Sequence, residues 1–413
     1  MIASRGAAAC PDGRARHFFV LSVLPITMSQ PSPSSSPVSA DHEQHVRTRV
    51  ANRIGYIELD RPQALNALST AMVDAMQDAL DRWRDDPDVL AVVVRTPHPR
   101  AFCAGGDIRF LYESFRAGDQ AALDTFFIDE YRLDHAIFSY PKPYIALLNG
   151  VVMGGGMGIS QGAHRTGGLR LVGAATRMAM PETRIGLFPD VGMGWLLART
   201  PGALGRYLAV TGETIDAASA LYAGLADVFL DESAWPALLD TLQTETFVTG
   251  ADVIERIRRA ALPAQEARRR ASESALAIAR AWIDRHFSQP DVGAILASLD
   301  AVRQAGKGSE SEWAEQTIGV LRERSPLSMA VSLEAVSRAE GSMADVLRRD
   351  LDLTRSSFAR GDVMEGIRAR IIDKDNRPNW RFARVEDVRA ADVNAMFESP
   401  WSLTDHPLRA LPD

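Results

Sequence analysis

Asn149-Gly-Val-Val-Met-Gly-Gly-Gly-Met-Gly158 carries the strongest fold signal in the chain. It follows Lys142-Pro143 and the apolar run Tyr144 to Leu148, which predicts a buried strand feeding a turn and then a helix. Consecutive glycines there leave backbone N–H groups uncovered and free to face an anion or a developing oxyanion. A turn too crowded for any side chain needs the same residues, and the sequence alone leaves both meanings open. The stretch lacks the Gly-Lys-Ser/Thr ending and the G-x-G-x-x-G spacing of nucleotide-phosphate loops. Gly158-Ile-Ser-Gln-Gly162 overlaps it and matches the G-x-S-x-G nucleophile elbow. That elbow requires a strand directly before its serine, whereas Met-Gly-Gly-Gly intervenes before Ser160, and His164, His286 and His406 have no triad context. A serine hydrolase is therefore disfavoured.

Upstream, Ala101-Phe-Cys-Ala-Gly-Gly-Asp-Ile108 is a second stretch of small residues that permits close approach of backbone to a ligand. Its Cys103 reads more simply as a small buried side chain than as a nucleophile, since nothing in the sequence sets His98 or Arg100 against it. Downstream, Met180-Pro-Glu-Thr-Arg-Ile-Gly-Leu-Phe-Pro-Asp-Val-Gly192 places Glu182 and Asp190 between Pro and Gly turns. Such a pair divides acid–base and orienting work when its surroundings separate the two pKa values, or it is simply two solvated loop acids. No histidines cluster with them, so a metal site is not expected.

Around these stretches Ile54–Leu59, Val89–Val94 and Tyr144–Leu148 predict strands, and Ser69 predicts the cap of a helix with Val73, Met76, Leu80 and Trp83 on one face. Strand, helix and strand in this order indicate an α/β core over residues 50–235. Beyond it, Arg256–Ala261, Glu266–Phe287, Pro326–Ala339 and Ala344–Arg360 carry helical periodicity, so residues 236–413 read as a mostly helical region. Residues 1–49, with arginines before the apolar run Phe18–Ile26 and a Ser/Pro-rich stretch to Pro37, read as a disordered leader or a start placed upstream of Met28.

The 413 residues bury a sizeable core without disulfides, and two cysteines build neither a disulfide framework nor a Cys-rich zinc site. A net charge of −7 provides no global basic field for nucleic acid, and no apolar run approaches a membrane span. Only Lys142, Lys307 and Lys374 interrupt an otherwise all-arginine set of 46 basic residues. That bias points to a GC-rich bacterial genome and a cytoplasmic protein, or a mitochondrial one if the source is eukaryotic.

Arg61-Pro-Gln-Ala-Leu-Asn-Ala-Leu68, Ala101–Asp107 and the glycine turn, in that order, resemble the enoyl-CoA hydratase/isomerase, or crotonase, superfamily. The resemblance implies an α/β fold, a crotonase-like spiral of ββα units, that binds an acyl-CoA with its thioester oxygen between the N–H groups of Gly106 and Gly155. A hydratase of that superfamily uses two glutamates; here the first position is Gly158 and only the second, Glu182, is kept. Met-Pro-Glu-Thr with Phe-Pro-Asp-Val-Gly, Asp129-Glu130-Tyr131, Glu365-Gly-Ile-Arg368 and Ile372-Asp-Lys-Asp375 instead resemble the branch that hydrolyses 3-hydroxyisobutyryl-CoA in valine catabolism. This implies Glu182 as base or nucleophile, with Asp190 and Glu130 orienting the substrate hydroxyl or the water. It also implies a CoA path along Ala64–Leu68 and Asp107, Ile108 and Arg109. No cofactor or metal is implied, since coenzyme A is part of the substrate, and a homo-oligomer is possible. A hydratase or isomerase of the same fold is the alternative, and a non-catalytic acyl-CoA- or RNA-binding member a remote one. Thr166-Gly-Gly-Leu169 reads as an inserted loop, and Met193 stands where the branch more often has Gly.

Overall fold

A hairpin opens the regular structure. In the computed structural model, which describes residues 45–402 and 404–413, β1 (Val46–Ala51) pairs antiparallel with β2 (Ile54–Leu59), Val46 lying opposite Leu59. Asn52 and Arg53 both take left-handed backbone between them, at φ 50° and 61°, as a tight two-residue hairpin turn requires. The sheet thus begins within the expected leader, at Val46 rather than after residue 49. The apolar run Phe18–Ile26, Met28 and Cys10 lie outside the described residues.

Eight further strands follow: β3 (Ala91–Arg95), β4 (Ala101–Cys103), β5 (Tyr144–Leu148), β6 (Val151–Met153), β7 (Leu169–Val172), β8 (Arg177–Ala179), β9 (Ile215–Asp216) and β10 (Val228–Phe229). They build two sheets, ordered β1-β2-β3-β5-β7-β10 and β4-β6-β8-β9. Pairing is parallel except for β1–β2 and β8–β9. Each passage of the chain leaves a strand in the first sheet and the next in the second: β3 then β4, β5 then β6, β7 then β8. This is the spiral of ββα units, and it explains why β3 and β5 read as unbroken apolar runs: both are inner parallel strands covered on two faces.

Helix α1 (Thr70–Arg84) starts where Ser69 accepts the Met72 N–H, and it buries Val73, Met76, Leu80 and Trp83 as its spacing predicts. Helices α2 (Ile108–Arg116) and α3 (Gln120–Phe138) follow β4, each capped by an aspartate, Asp107 and Asp119. Helix α4 (Gly155–Gln161) follows β6 directly. Downstream, the expected helix Glu266–Phe287 is two, Ala264–Ser272 and Ala275–Phe287, because Ser274 accepts the Ala277 N–H and restarts the helix as an N-cap. The helices Val292–Ala305 and Gly308–Arg322 stand outside the sequence expectation, since small residues such as Ala314 and Ser311 dilute their buried faces.

Residue 235 is not a boundary in the packing. Trp235, Leu238, Leu242, Val253 and Ile257, from helices Trp235–Thr244 and Gly250–Ala260, cover the outer face of the first sheet. There they meet Tyr56, Val93, Ile145 and Leu171. The later helices join the main core, and the described residues form one compact unit. No helix among the described residues is long and apolar enough to cross a membrane.

Candidate active site

Two glycine amides are brought side by side between the sheets. Leu68 runs alongside Gly106 as a short parallel bridge, its N–H donating to Gly105 O at 2.8 Å while Asp107 N–H donates to Leu68 O at 2.9 Å. That pattern uses the neighbours of Gly106 and leaves the Gly106 N–H without an acceptor among the described residues. Gly155 is the first residue of α4, where an N–H has no intrahelical partner. A Cβ on Gly155 would lie 3.4 Å from the Gly106 nitrogen, so the two amides face one space. Asn66 holds the first strut in place: its fully buried Nδ2 donates to Phe102 O (3.0 Å) and Thr96 Oγ1 (2.9 Å), and its Oδ1 accepts the Arg61 N–H (2.7 Å).

Four buried carboxylates cluster nearby, Glu130 and Glu182 along the glycine turn and Asp134 and Asp190 near enough to act on them electrostatically. Glu130 and Asp134 project from one face of α3, one turn apart; Glu182 opens the 3-10 turn Glu182–Ile185; Asp190 precedes the loop Val191-Gly192. None is more than 6% exposed. A side chain on Gly155 would collide with Glu130 Oε1, and a Cβ on Gly154 would stand 3.1 Å from Glu182 Oε1. Glu130 Oε1, Glu182 Oε2 and both oxygens of Asp134 have no hydrogen-bond partner among the described residues. Burial, and then the charge of Asp190, pushes Glu130 and Glu182 well above the ordinary glutamate range. Asp134 is raised the same way by burial and by Glu130, Asp190 and Asp350. Burial raises Asp190 too, but only to about 6, because the Tyr131 hydroxyl donates to its Oδ2 at 2.7 Å and favours the charged form. Neighbouring carboxylates held apart in this way suit separate acid–base and orienting roles.

The residues around Asp190 come from distant parts of the chain. Tyr131 is fully buried on α3, and its oxygen lies 2.8 Å from Thr354 Oγ1 on the Met343–Arg360 helix. Asp350, one turn earlier on that helix, accepts the Gly192 N–H at 2.9 Å. Sequence reasoning missed Asp134, Asp350 and Thr354. The four-residue spacings Glu130/Asp134 and Asp350/Thr354 were visible, but nothing linear ties residue 350 to residue 190.

A family model for enoyl-CoA hydratase/isomerase matches residues 54–397. The chain belongs to the enoyl-CoA hydratase/isomerase family. It is 36% identical to a protein of Rattus norvegicus named 3-hydroxyisobutyryl-CoA hydrolase, mitochondrial, over 84% of this chain and 86% of the relative. The Arabidopsis thaliana 3-hydroxyisobutyryl-CoA hydrolase 1 is 32% identical over 86% of this chain and 92% of its own. Among solved structures, the carnitinyl-CoA dehydratase of Mycobacterium thermoresistibile superposes with a TM-score of 0.76 at 35% identity, covering 86% of this chain and 97% of that one. The enoyl-CoA hydratase of Rhodobacter sphaeroides gives 0.74 at 36%, covering 86% and 98%.

Within this family member, the structure explains the glycine at position 158. A Cβ there would lie 2.7 Å from Asp134 Oδ1 and 2.8 Å from Val191 Cβ, so Asp134 occupies the volume a glutamate would need. Ser160 is no elbow: it sits fully buried inside α4 and donates to Gly156 O at 2.8 Å. Cys103 is equally inert, its thiol pushed up to about 12 by burial. Of the expected CoA-path residues, Asp107 caps α2 and pairs with Arg61 at 2.8 Å, Ile108 packs against the core, and Arg109 is exposed. The expected insertion is shorter as a loop than it reads. Leu169 already belongs to β7, and Gly168 lies too close to Tyr144 O for any side chain. Met193 is fully buried beside Met157, Met178 and Met180.

The late motif of the helical region braces the glutamate segment. Gly366 packs against the Ile185 backbone and Gly186 against that of Asp362, each too closely for a Cβ. Arg368 ties Glu365 (2.8 Å), Asp373 (2.6 Å) and Asp375 (2.8 Å) into one knot behind them.

Proposed function

We propose that the chain hydrolyses the thioester of 3-hydroxyisobutyryl-CoA, or of a similar short 3-hydroxyacyl-CoA, to the free acid and CoA. The observation that carries this reading is the pairing of two amides without an acceptor among the described residues, Gly106 and Gly155, with Glu182 at the glycine turn and no carboxylate at position 158. The amides receive the thioester oxygen as it gains negative charge. Glu182 attacks the acyl carbon, the C–S bond breaks and CoA leaves as its thiol, and water then cleaves the mixed anhydride to the free acid and restores the carboxylate. In the other route Glu182 takes the proton of a water that attacks the acyl carbon directly and expels CoA. Asp190, the more acidic of the buried set, accepts a hydrogen bond from the substrate hydroxyl, and Glu130 orients water beside Gly155. The reading needs no cofactor or metal, since CoA arrives with the substrate. It includes a bacterial, cytoplasmic setting, on the arginine bias, and assembly into a homo-oligomer.

A second reading, water addition to an enoyl-CoA, is favoured by Glu130, which gives the site a second carboxylate from α3 in place of position 158. A thiol-release assay over 3-hydroxyacyl-CoA and enoyl-CoA esters separates the two. The proposal expects free CoA from 3-hydroxyisobutyryl-CoA; hydration of an enoyl-CoA with no CoA released would overturn it.

A further inference from the structure

The turn that presents Asp190 is held in an unfavourable conformation by a helix some 160 positions later. Val191 has φ 53°, a left-handed backbone that a β-branched residue rarely adopts, and Gly192 follows at φ 75°. The Val191 side chain is buried and packs against Gly158 beside Asp134. The Gly192 N–H at the end of this turn donates to the buried carboxylate of Asp350. One turn further along the same helix Thr354 reaches Tyr131, and one turn beyond that Phe358 packs on Phe127, with ring centroids 5.8 Å apart. Residues 350, 354 and 358 therefore form one stripe laid against α3 and the Asp190 turn.

Donor counting gives this contact a direction. Tyr131 has one hydroxyl proton, and Asp190 Oδ2, an acceptor, takes it. Thr354 must then donate to the Tyr131 oxygen, so the relay runs from Thr354 to Tyr131 to Asp190. It fixes one carboxylate oxygen while Asp350 fixes the backbone that follows, and lone pairs of Asp190 remain for a substrate.

We propose that Asp350 and Thr354 are positioning residues that set the preference of this site for a hydroxylated acyl chain by fixing Asp190 from two sides. This rests on the reading of Asp190 as the partner of the substrate hydroxyl. A merely structural role would lower turnover of every acyl-CoA alike; a positioning role lowers it selectively for those bearing the hydroxyl.

The test compares kcat/KM for 3-hydroxyisobutyryl-CoA and for isobutyryl-CoA, which lacks the hydroxyl, in Thr354→Val, Asp350→Leu, Asp350→Asn and Asp190→Ala. Thr354→Val keeps the shape and removes the donor, and Asp350→Asn keeps an acceptor for Gly192 N–H. The expected result is a preference for the hydroxylated ester that falls about tenfold in Thr354→Val and Asp350→Leu, the scale of one lost oriented hydrogen bond. Isobutyryl-CoA turnover falls by clearly less than that of the hydroxylated ester in Thr354→Val, and Asp350→Asn restores the preference. Equal losses on both esters, or an unchanged preference in Thr354→Val where Asp190→Ala abolishes it, would overturn the proposal. An unchanged preference in Asp190→Ala would overturn the reading of Asp190 and the proposal with it.

Discussion

Gly158 and Asp134 divide one volume between them, and this is legible only in three dimensions. Glu182 and Asp190 stood out in the sequence through the resemblance of Met-Pro-Glu-Thr and Phe-Pro-Asp-Val-Gly, since the Pro and Gly around them alone fit two solvated loop acids equally well. Asp134 sits in a helix among apolar residues, where an aspartate more often faces water, and only its burial on α3 shows otherwise. Two consequences follow at this scale. Gly155→Ala drives a methyl group into Glu130 and between the two amides, so kcat should fall at least ~100-fold with the circular dichroism spectrum unchanged. Asp134→Asn should stabilise the protein in a pH-dependent way. Burial raises the Asp134 pKa above its unfolded value near 4, so the folded state binds the extra proton and stability falls as pH rises through that window. Below about pH 4 the acid is protonated in both states and the substitution is neutral; at pH 8 thermal melts should show the variant several degrees higher.

At the scale of elements, periodicity and capping located β2 and α1 well, and a short unbroken apolar run after Lys142-Pro143 located β5. They failed where a cap hides inside a periodic run, at Ser274, and where Ala and Ser face the core. The late Glu-Gly-Ile-Arg and Ile-Asp-Lys-Asp stretches were visible as a resemblance, but their work was not. They form a brace behind the turn that carries Glu182, completed by Asp362, which accepts from Ser325 Oγ (2.5 Å) and Arg381 N–H (2.8 Å). Asp362→Ala strips the buried Ser325 hydroxyl and the part-buried Arg381 N–H of their acceptor, a loss of about 1–3 kcal/mol. Differential scanning calorimetry should record a lower Tm, and kcat should fall with it because the backbone of Gly186 rests on Asp362.

For the whole molecule, the sequence reading separated an acyl-CoA-binding core from a helical region, and the packing joins them. Helices after residue 235 seal the outer face of the first sheet, brace the Glu182 turn and supply Asp350 and Thr354 to the site. Contacts of such separation leave no local trace in the sequence, which is why Glu130, Glu182 and Asp190 were legible and the residues that hold them were not. The chemistry proposed for the site centres on Glu182 beside the Gly106 and Gly155 amides. Its most direct test is steady-state CoA release from 3-hydroxyisobutyryl-CoA by Glu182→Gln, with acyl-CoA binding followed in parallel by calorimetry. The account predicts unchanged binding and turnover reduced ~10³-fold or more; near-normal release of CoA by that variant would contradict it.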